Sequence, residues 1–159
     1  MYILPIDELE KVLTSAQTAF PRETSGLLLR QKFGRFTLLS LTVTSSAENT
    51  VLSFRIRDAA INEIAESLKG ASTTIGGCFH SHIIGPARPS SRDCAATKEP
   101  GDLWLIYSVG FRDLNLFRWS GMTFQKARLL IVPSLKEWDI AGKRPLHDLL
   151  LHLNIHLHS

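Results

Sequence analysis

The stretch Thr74–His82 constrains this chain more than any other, because it reads as a strand that ends in His80-Ser81-His82. A strand alternates its side chains between two faces. His80 and His82 therefore point the same way, with Cα atoms about 6–7 Å apart, and Ser81 points the other way. Two imidazole nitrogens at that separation can reach a common ion about 2 Å from each. The Gly- and Pro-rich run from Ile83 to Pro89 follows, and it can fold the chain back to bring in Asp93 as a third ligand. Two imidazoles and one carboxylate leave the fourth tetrahedral corner open, which is the pattern of a catalytic rather than a structural zinc site. Each residue also has a plainer reading. A single strand histidine is more often a hydrogen-bonded core or surface residue than a ligand. Ser90 and Asp93 form a capping box, Ser-x-x-Asp, at the start of a short helix. The cap does not compete with the metal reading, since it would fix Asp93 on the first turn, beside the loop.

The rest of the chain reads as one domain of helices and short strands. Over Pro5–Phe20, Ile6, Leu9, Val12, Leu13, Ala16 and Phe20 recur at three- and four-residue steps and predict an amphipathic helix that Pro21 ends. Gly26–Arg30 and Arg35–Thr44 read as strands joined by a turn at Lys32-Phe33-Gly34-Arg35. Ser45–Thr50 reads as polar loop, Val51–Ile56 as a strand and Arg57–Lys69 as a second helix stopped by Gly70. Ser90–Lys98 reads as a short helix. Leu103–Val109, Leu114–Trp119 and Thr123–Val132 read as three strands, and Pro145–His158 as a C-terminal helix. Strands flanked by helices predict an α/β or α+β sandwich, and the short gaps predict a largely antiparallel sheet.

A nucleophilic water needs a base as well as a metal. A metal-bound water ionises near pH 7, about nine units below bulk water, and a nearby carboxylate takes the proton. Glu23, in Pro21-Arg22-Glu23-Thr24-Ser25-Gly26, stands at the head of an expected core strand. Taken alone, it reads better as a surface charge.

Together these residues resemble a known family. His80-Ser81-His82-x7-Ser90-x2-Asp93, with Glu23-x-x-Gly26 upstream, resembles the JAMM motif of the JAB/MPN+ metallopeptidases, and every motif position is filled. The order of elements fits as well, and the likeness runs from Met1 to about Val132. It implies a cytidine-deaminase-like JAB/MPN three-layer sandwich, with a mixed and largely antiparallel sheet, over residues 1–133. Residues 134–159 would be a helical tail packing on the domain or on a partner.

The resemblance further implies one catalytic Zn²⁺ held by His80, His82 and Asp93. Glu23 would be the general base and later the acid toward the leaving amine, and Ser90 would hydrogen-bond the oxyanion. Such enzymes cut the peptide or isopeptide bond after the C-terminus of a ubiquitin-like or sulfur-carrier protein, and the substrate tail would bind as an added strand at a sheet edge. The setting would be bacterial ubiquitin-like conjugation, antiviral defence or sulfur-carrier recycling, with a homodimer or a complex with conjugation enzymes compatible with it. Two departures stand out. Ile83 follows the second histidine, where many members have proline, and there is no room for the long insertions with which larger relatives grip ubiquitin. The chain therefore resembles the compact prokaryotic branch.

Cys78 has the strand parity of His80 and His82, but as a fourth ligand it would close the site; a small buried thiol is the better reading. With only two cysteines, Cys78 and Cys94, both are expected to be free and the surroundings cytoplasmic. The first eight residues lack a basic n-region, so no secretory signal is expected, and no apolar run approaches the length of a membrane span. His152 and His156 are four apart in the tail, yet the leucines around them read as an amphipathic helix with histidines at its margin. A net charge of +3 from scattered basic residues makes a nucleic-acid module the weakest reading. The alternative from another class is a catalytically silent MPN-type scaffold that binds partners. Inactive relatives usually lack a ligand, and here none is missing.

Overall fold

The computed structural model describes residues 1–44, 56–96 and 98–134. In chain order the elements are β1 (Tyr2–Pro5), α1 (Ile6–Ala19), β2 (Ser25–Phe33), β3 (Phe36–Thr44), α2 (Asp58–Ser67), β4 (Thr73–His82), α3 (Ser91–Ala95), β5 (Leu103–Ser108), β6 (Asp113–Trp119), β7 (Phe124–Ala127) and β8 (Leu129–Val132). Among the described residues the strands form one mixed sheet in the order β7-β6-β5-β4-β2-β3-β1-β8. The hairpin-linked pairs β2–β3, β5–β6 and β6–β7 are antiparallel, as is β2–β4. The pairs β1–β3, β1–β8 and β4–β5 are parallel.

The period of two along each strand gives the sheet two chemically different faces. Phe79, Leu105 and Leu116 stand opposite one another across β4, β5 and β6 and are fully buried. With Leu4, Leu28 and Val12 of α1 they form the main core. Helix α1 follows Pro5, its extended N-cap and the last residue of β1, and Val12 and Ala16 are its buried residues. The other face carries Cys78, His80 and His82 on β4, Trp104 and Ile106 on β5, and Asn115 and Phe117 on β6. Helix α3 brings Asp93 to the two histidines of that face.

Glycine is required at two points that set this geometry. Gly77 has φ +147°, and a Cβ there would collide with the backbone of Leu103 on the parallel neighbour. Gly26 faces Phe79, and a Cβ would collide with that ring and with the Thr42 carbonyl.

The expected helices over Pro5–Phe20 and Arg57–Lys69 are present, as are the strands over Gly26–Arg30, Arg35–Thr44, Thr74–His82, Leu103–Val109 and Leu114–Trp119. Two points are corrected. The expected single strand Thr123–Val132 is two strands parted at Arg128, with β7 on β6 and β8 on β1, at opposite ends of the sheet order. The short β1 was not expected; it is recognisable only through its parallel partners Thr37 and Leu38 and the β8 residues opposite it. The expected loop Ser45–Thr50, most of the strand Val51–Ile56, the helix Pro145–His158 and nearly all of the tail 134–159 lie outside the described residues.

Candidate metal centre

Strand β4 ends with His80 and His82 buried on one face, and Ser81 buried on the other. The Nε2 atoms of His80 and His82 lie 3.0 Å apart. Asp93 places Oδ1 3.3 Å from His80 Nε2 and Oδ2 3.5 Å from His82 Nε2. Around tetrahedral zinc with bonds of about 2.0–2.1 Å, neighbouring ligand atoms stand about 3.3 Å apart. One donor atom from each of the three residues lies within 4.8 Å of the others, the two Asp93 oxygens facing one imidazole each, and two imidazoles with a carboxylate are a donor set suited to zinc. Among the described residues, these three form the cluster able to hold a metal. Cys78 is not in it, so the thiol does not close the site.

Local structure holds each donor in place. The carbonyl of Pro86 lies 3.0 Å from His82 Nδ1. A carbonyl can only accept, so Nδ1 carries a proton and Nε2 is turned toward His80 and Asp93. The loop supplying this carbonyl is itself pinned. Ser108 on β5 donates its hydroxyl to the Gly85 carbonyl at 2.6 Å, and Asn115 on β6 donates to the carbonyl of buried Ala87 at 3.0 Å. His80 packs edge-on against Trp104, with ring centroids 5.6 Å apart. Asp93 is fixed by the capping box read from the sequence. The Ser90 amide donates to Asp93 Oδ2 at 2.6 Å, and the Asp93 amide donates to Ser90 Oγ at 3.2 Å. The ammonium of Lys98 donates to the carbonyls of Asp93, Cys94 and Ala96, closing the other end of α3.

Glu23 lies just before β2, and only 6% of it is exposed. The residue after it, Thr24, is pinned by Ser81 of β4. The Thr24 amide donates to Ser81 Oγ at 2.9 Å, and the Ser81 amide donates to the Thr24 carbonyl at 2.9 Å. Burial pushes the Glu23 carboxyl up from 4.5 to about 7; His82 opposes this, Asp93 adds to it and Arg92 opposes it. The plainer expectation for Glu23, a surface charge, is thus excluded. Burial also pushes His80 down and keeps its imidazole neutral, as a ligand must be. For His82, burial works downward but is outweighed by the hydrogen bonds to Asp93 and Pro86, and the net direction is up. Burial alone would raise Asp93; its hydrogen bonds with His80 and His82 win and hold the carboxyl well below the usual range. The cluster therefore presents a permanent anion beside two imidazoles, with a second, protonatable carboxyl alongside.

Of the five expected residues, His80, His82 and Asp93 form the cluster, Ser90 caps Asp93, and the Glu23 carboxyl feels the charges of His82 and Asp93. Sequence reasoning missed Ser81, Pro86, Ser108 and Asn115, which orient them. Only Ser81 had a signal, its opposite parity between the two histidines. Both cysteines are free, as expected. Among the described residues, no helix is long and apolar enough to cross a membrane.

Comparison with known proteins places the fold. Residues 5–120 match the family model described as prokaryotic homologs of the JAB domain. A Desulfitobacterium hafniense protein solved in solution superposes with a TM-score of 0.76 at 21% identity, over 86% of this chain and 97% of that one. A JAB1/MPN domain protein from Archaeoglobus fulgidus gives 0.53 at 17% identity, over 82% and 97%. A structure described as JAMM, a metalloprotease-like zinc site in the proteasome and signalosome, gives 0.52 at 16% identity, over 83% and 98%. No curated protein matches the chain.

Proposed function

The chain belongs to the family of prokaryotic homologs of the JAB domain, and from that premise we propose that it is a zinc-dependent metallopeptidase of the JAMM type. Its substrate bond is the peptide or isopeptide bond after the C-terminus of a ubiquitin-like or sulfur-carrier protein. One observation carries the reading: His80, His82 and Asp93 present donor atoms within 4.8 Å of one another, with the buried carboxyl of Glu23 feeling the charges of His82 and Asp93. A silent scaffold has no use for that arrangement, because ionising a buried carboxyl is costly.

When bound, zinc supplies a Lewis acid and a water that ionises near neutral pH. The chain's own groups do the rest. His80 would offer a nitrogen that burial keeps neutral, and His82, aimed by the Pro86 carbonyl, would release a proton on binding the metal. Asp93 supplies the compensating charge. Glu23, buried beside the cluster and influenced by the charges of His82 and Asp93, would take a proton from the attacking water and return it to the departing amine. Ser90 Oγ accepts from the Asp93 amide, so its hydroxyl proton remains available to donate to the oxyanion of the tetrahedral intermediate.

The test is cleavage of a ubiquitin-like or sulfur-carrier protein fused through its C-terminus to a reporter, by the zinc-loaded full chain. Glu23→Gln is expected to keep zinc and abolish cleavage, while His80→Ala and Asp93→Ala lose both. Full activity in Glu23→Gln would refute the assigned base.

A further inference from the structure

We propose that a groove beside the metal centre is a specificity subsite, seating a large apolar side chain of the polypeptide substrate that carries carboxylates on its neighbours. This rests on the peptidase reading above and extends it to the substrate's sequence.

The groove encloses about 730 Å³ against β6, β7 and α3. Its position follows from the pleat. Cys78 pairs with Trp104, Trp104 with Phe117, Phe117 with Lys126, and Trp119 with Phe124. The groove side chains therefore share a sheet face with His80 and His82. From β4 to β7 is three strand spacings, about 14 Å, or about four residues of extended chain. The link is physical as well. Trp104 packs against His80 on one side and against Phe124, at 5.2 Å, on the other. Cys94, directly after Asp93, also lines the groove.

Phe117, Trp119 and Phe124 give the groove an aromatic floor. Phe124 holds Trp119 at 5.0 Å, and the Lys98 ammonium lies 4.3 Å from the Trp119 ring centre while bonded to α3 carbonyls. The floor is therefore built before any ligand arrives, which lowers the ordering cost of binding. Met122, 86% exposed, stands at the groove and can adapt to what enters. Both charged liners, Arg88 and Lys126, are cations, and no carboxylate lines the groove among the described residues. An apolar floor with a basic rim complements an apolar side chain between acidic ones.

The test uses three fluorescein-labelled peptide amides, Asp-Phe-Glu, Asp-Ala-Glu and Lys-Phe-Lys, titrated with the full chain by anisotropy, zinc-loaded and metal-free. Asp-Phe-Glu is expected to bind at least tenfold tighter than either of the others in both forms. Lys126→Glu and Arg88→Glu, both at exposed positions, are each expected to erase that advantage over Lys-Phe-Lys. Equal affinity for the three peptides in the unaltered chain would overturn the subsite. Discrimination without cleavage of any carrier fusion would retain the subsite and reject the peptidase reading. Cleavage without discrimination would do the reverse. The chain's own Glu137-Trp138-Asp139 has the same chemistry. Discrimination seen only in Trp138→Ala would assign the groove to that segment and overturn the substrate assignment.

Discussion

Thr24 and Ser81 exchange two hydrogen bonds of 2.9 Å, Thr24 amide to Ser81 hydroxyl and Ser81 amide to Thr24 carbonyl. Through them the strand that bears the histidines also holds the neighbour of Glu23. Ser81→Ala removes one bond and leaves the buried Thr24 amide unpaired, a cost of about 1–3 kcal/mol. The account predicts that Ser81→Ala keeps its zinc and its KM while kcat falls about tenfold or more, because the base is displaced and the ligands are not. Steady-state kinetics beside a zinc assay reads this. An unchanged kcat would remove Ser81 from the positioning of Glu23.

The buried carboxyl of Glu23 makes stability depend on pH in the metal-free chain. Its value rises from 4.5 to about 7 on folding, so the folded state takes up a proton between these values. Stability therefore falls as pH climbs through that window, and the full penalty is present above about 7. Glu23→Gln lacks the penalty. Thermal melts should show the variant gaining on the parent by about 2 kcal/mol between about pH 5.5 and 8.5. A gap that does not move with pH would mean that Glu23 is not desolvated. On the proposed peptidase reading, kcat/KM of the zinc-loaded chain should fall on the acid side as Glu23 takes up its proton, with the bound cation shifting that limb downward.

Gly77 lies three residues before His80, where β4 meets β5. Its φ of +147° and its contact with the Leu103 backbone leave no room for a side chain. Gly77→Ala must separate β4 from β5 or twist β4, and either shifts both histidines. A loss of at least 1–3 kcal/mol in a denaturant melt is expected, with weakened zinc affinity alongside. Gly34→Ala is the control, since Gly34 has φ +53° with nothing within 4 Å and lies in the distant β2–β3 turn. It should cost stability without changing zinc affinity.

The candidate metal donors were legible in the sequence because their geometry is local. Strand parity aligns His80 with His82, and the capping box fixes Asp93, both within a few residues of chain. The helices of clear amphipathic period were legible for the same reason. What escaped reading depends on distant partners. β1 is four residues long and gains its identity from β3 and β8. The run Thr123–Val132 has one continuous β character, yet its halves belong to opposite ends of the sheet order, and only the curl of the whole sheet reveals the break at Arg128. The burial of Glu23 was likewise invisible. It takes Ser81, more than fifty residues on, to draw a charged segment inward.

The central claim is that His80, His82 and Asp93 hold one zinc ion while Glu23 stands beside it without serving as a ligand. Zinc content per chain, measured by elemental analysis after equilibration in zinc-buffered solution, tests this directly. The account predicts one zinc per chain in the parent and in Glu23→Gln, and less than a tenth of that in His80→Ala, His82→Ala and Asp93→Ala. Stoichiometric zinc surviving in those three variants, or zinc lost from Glu23→Gln, would contradict it.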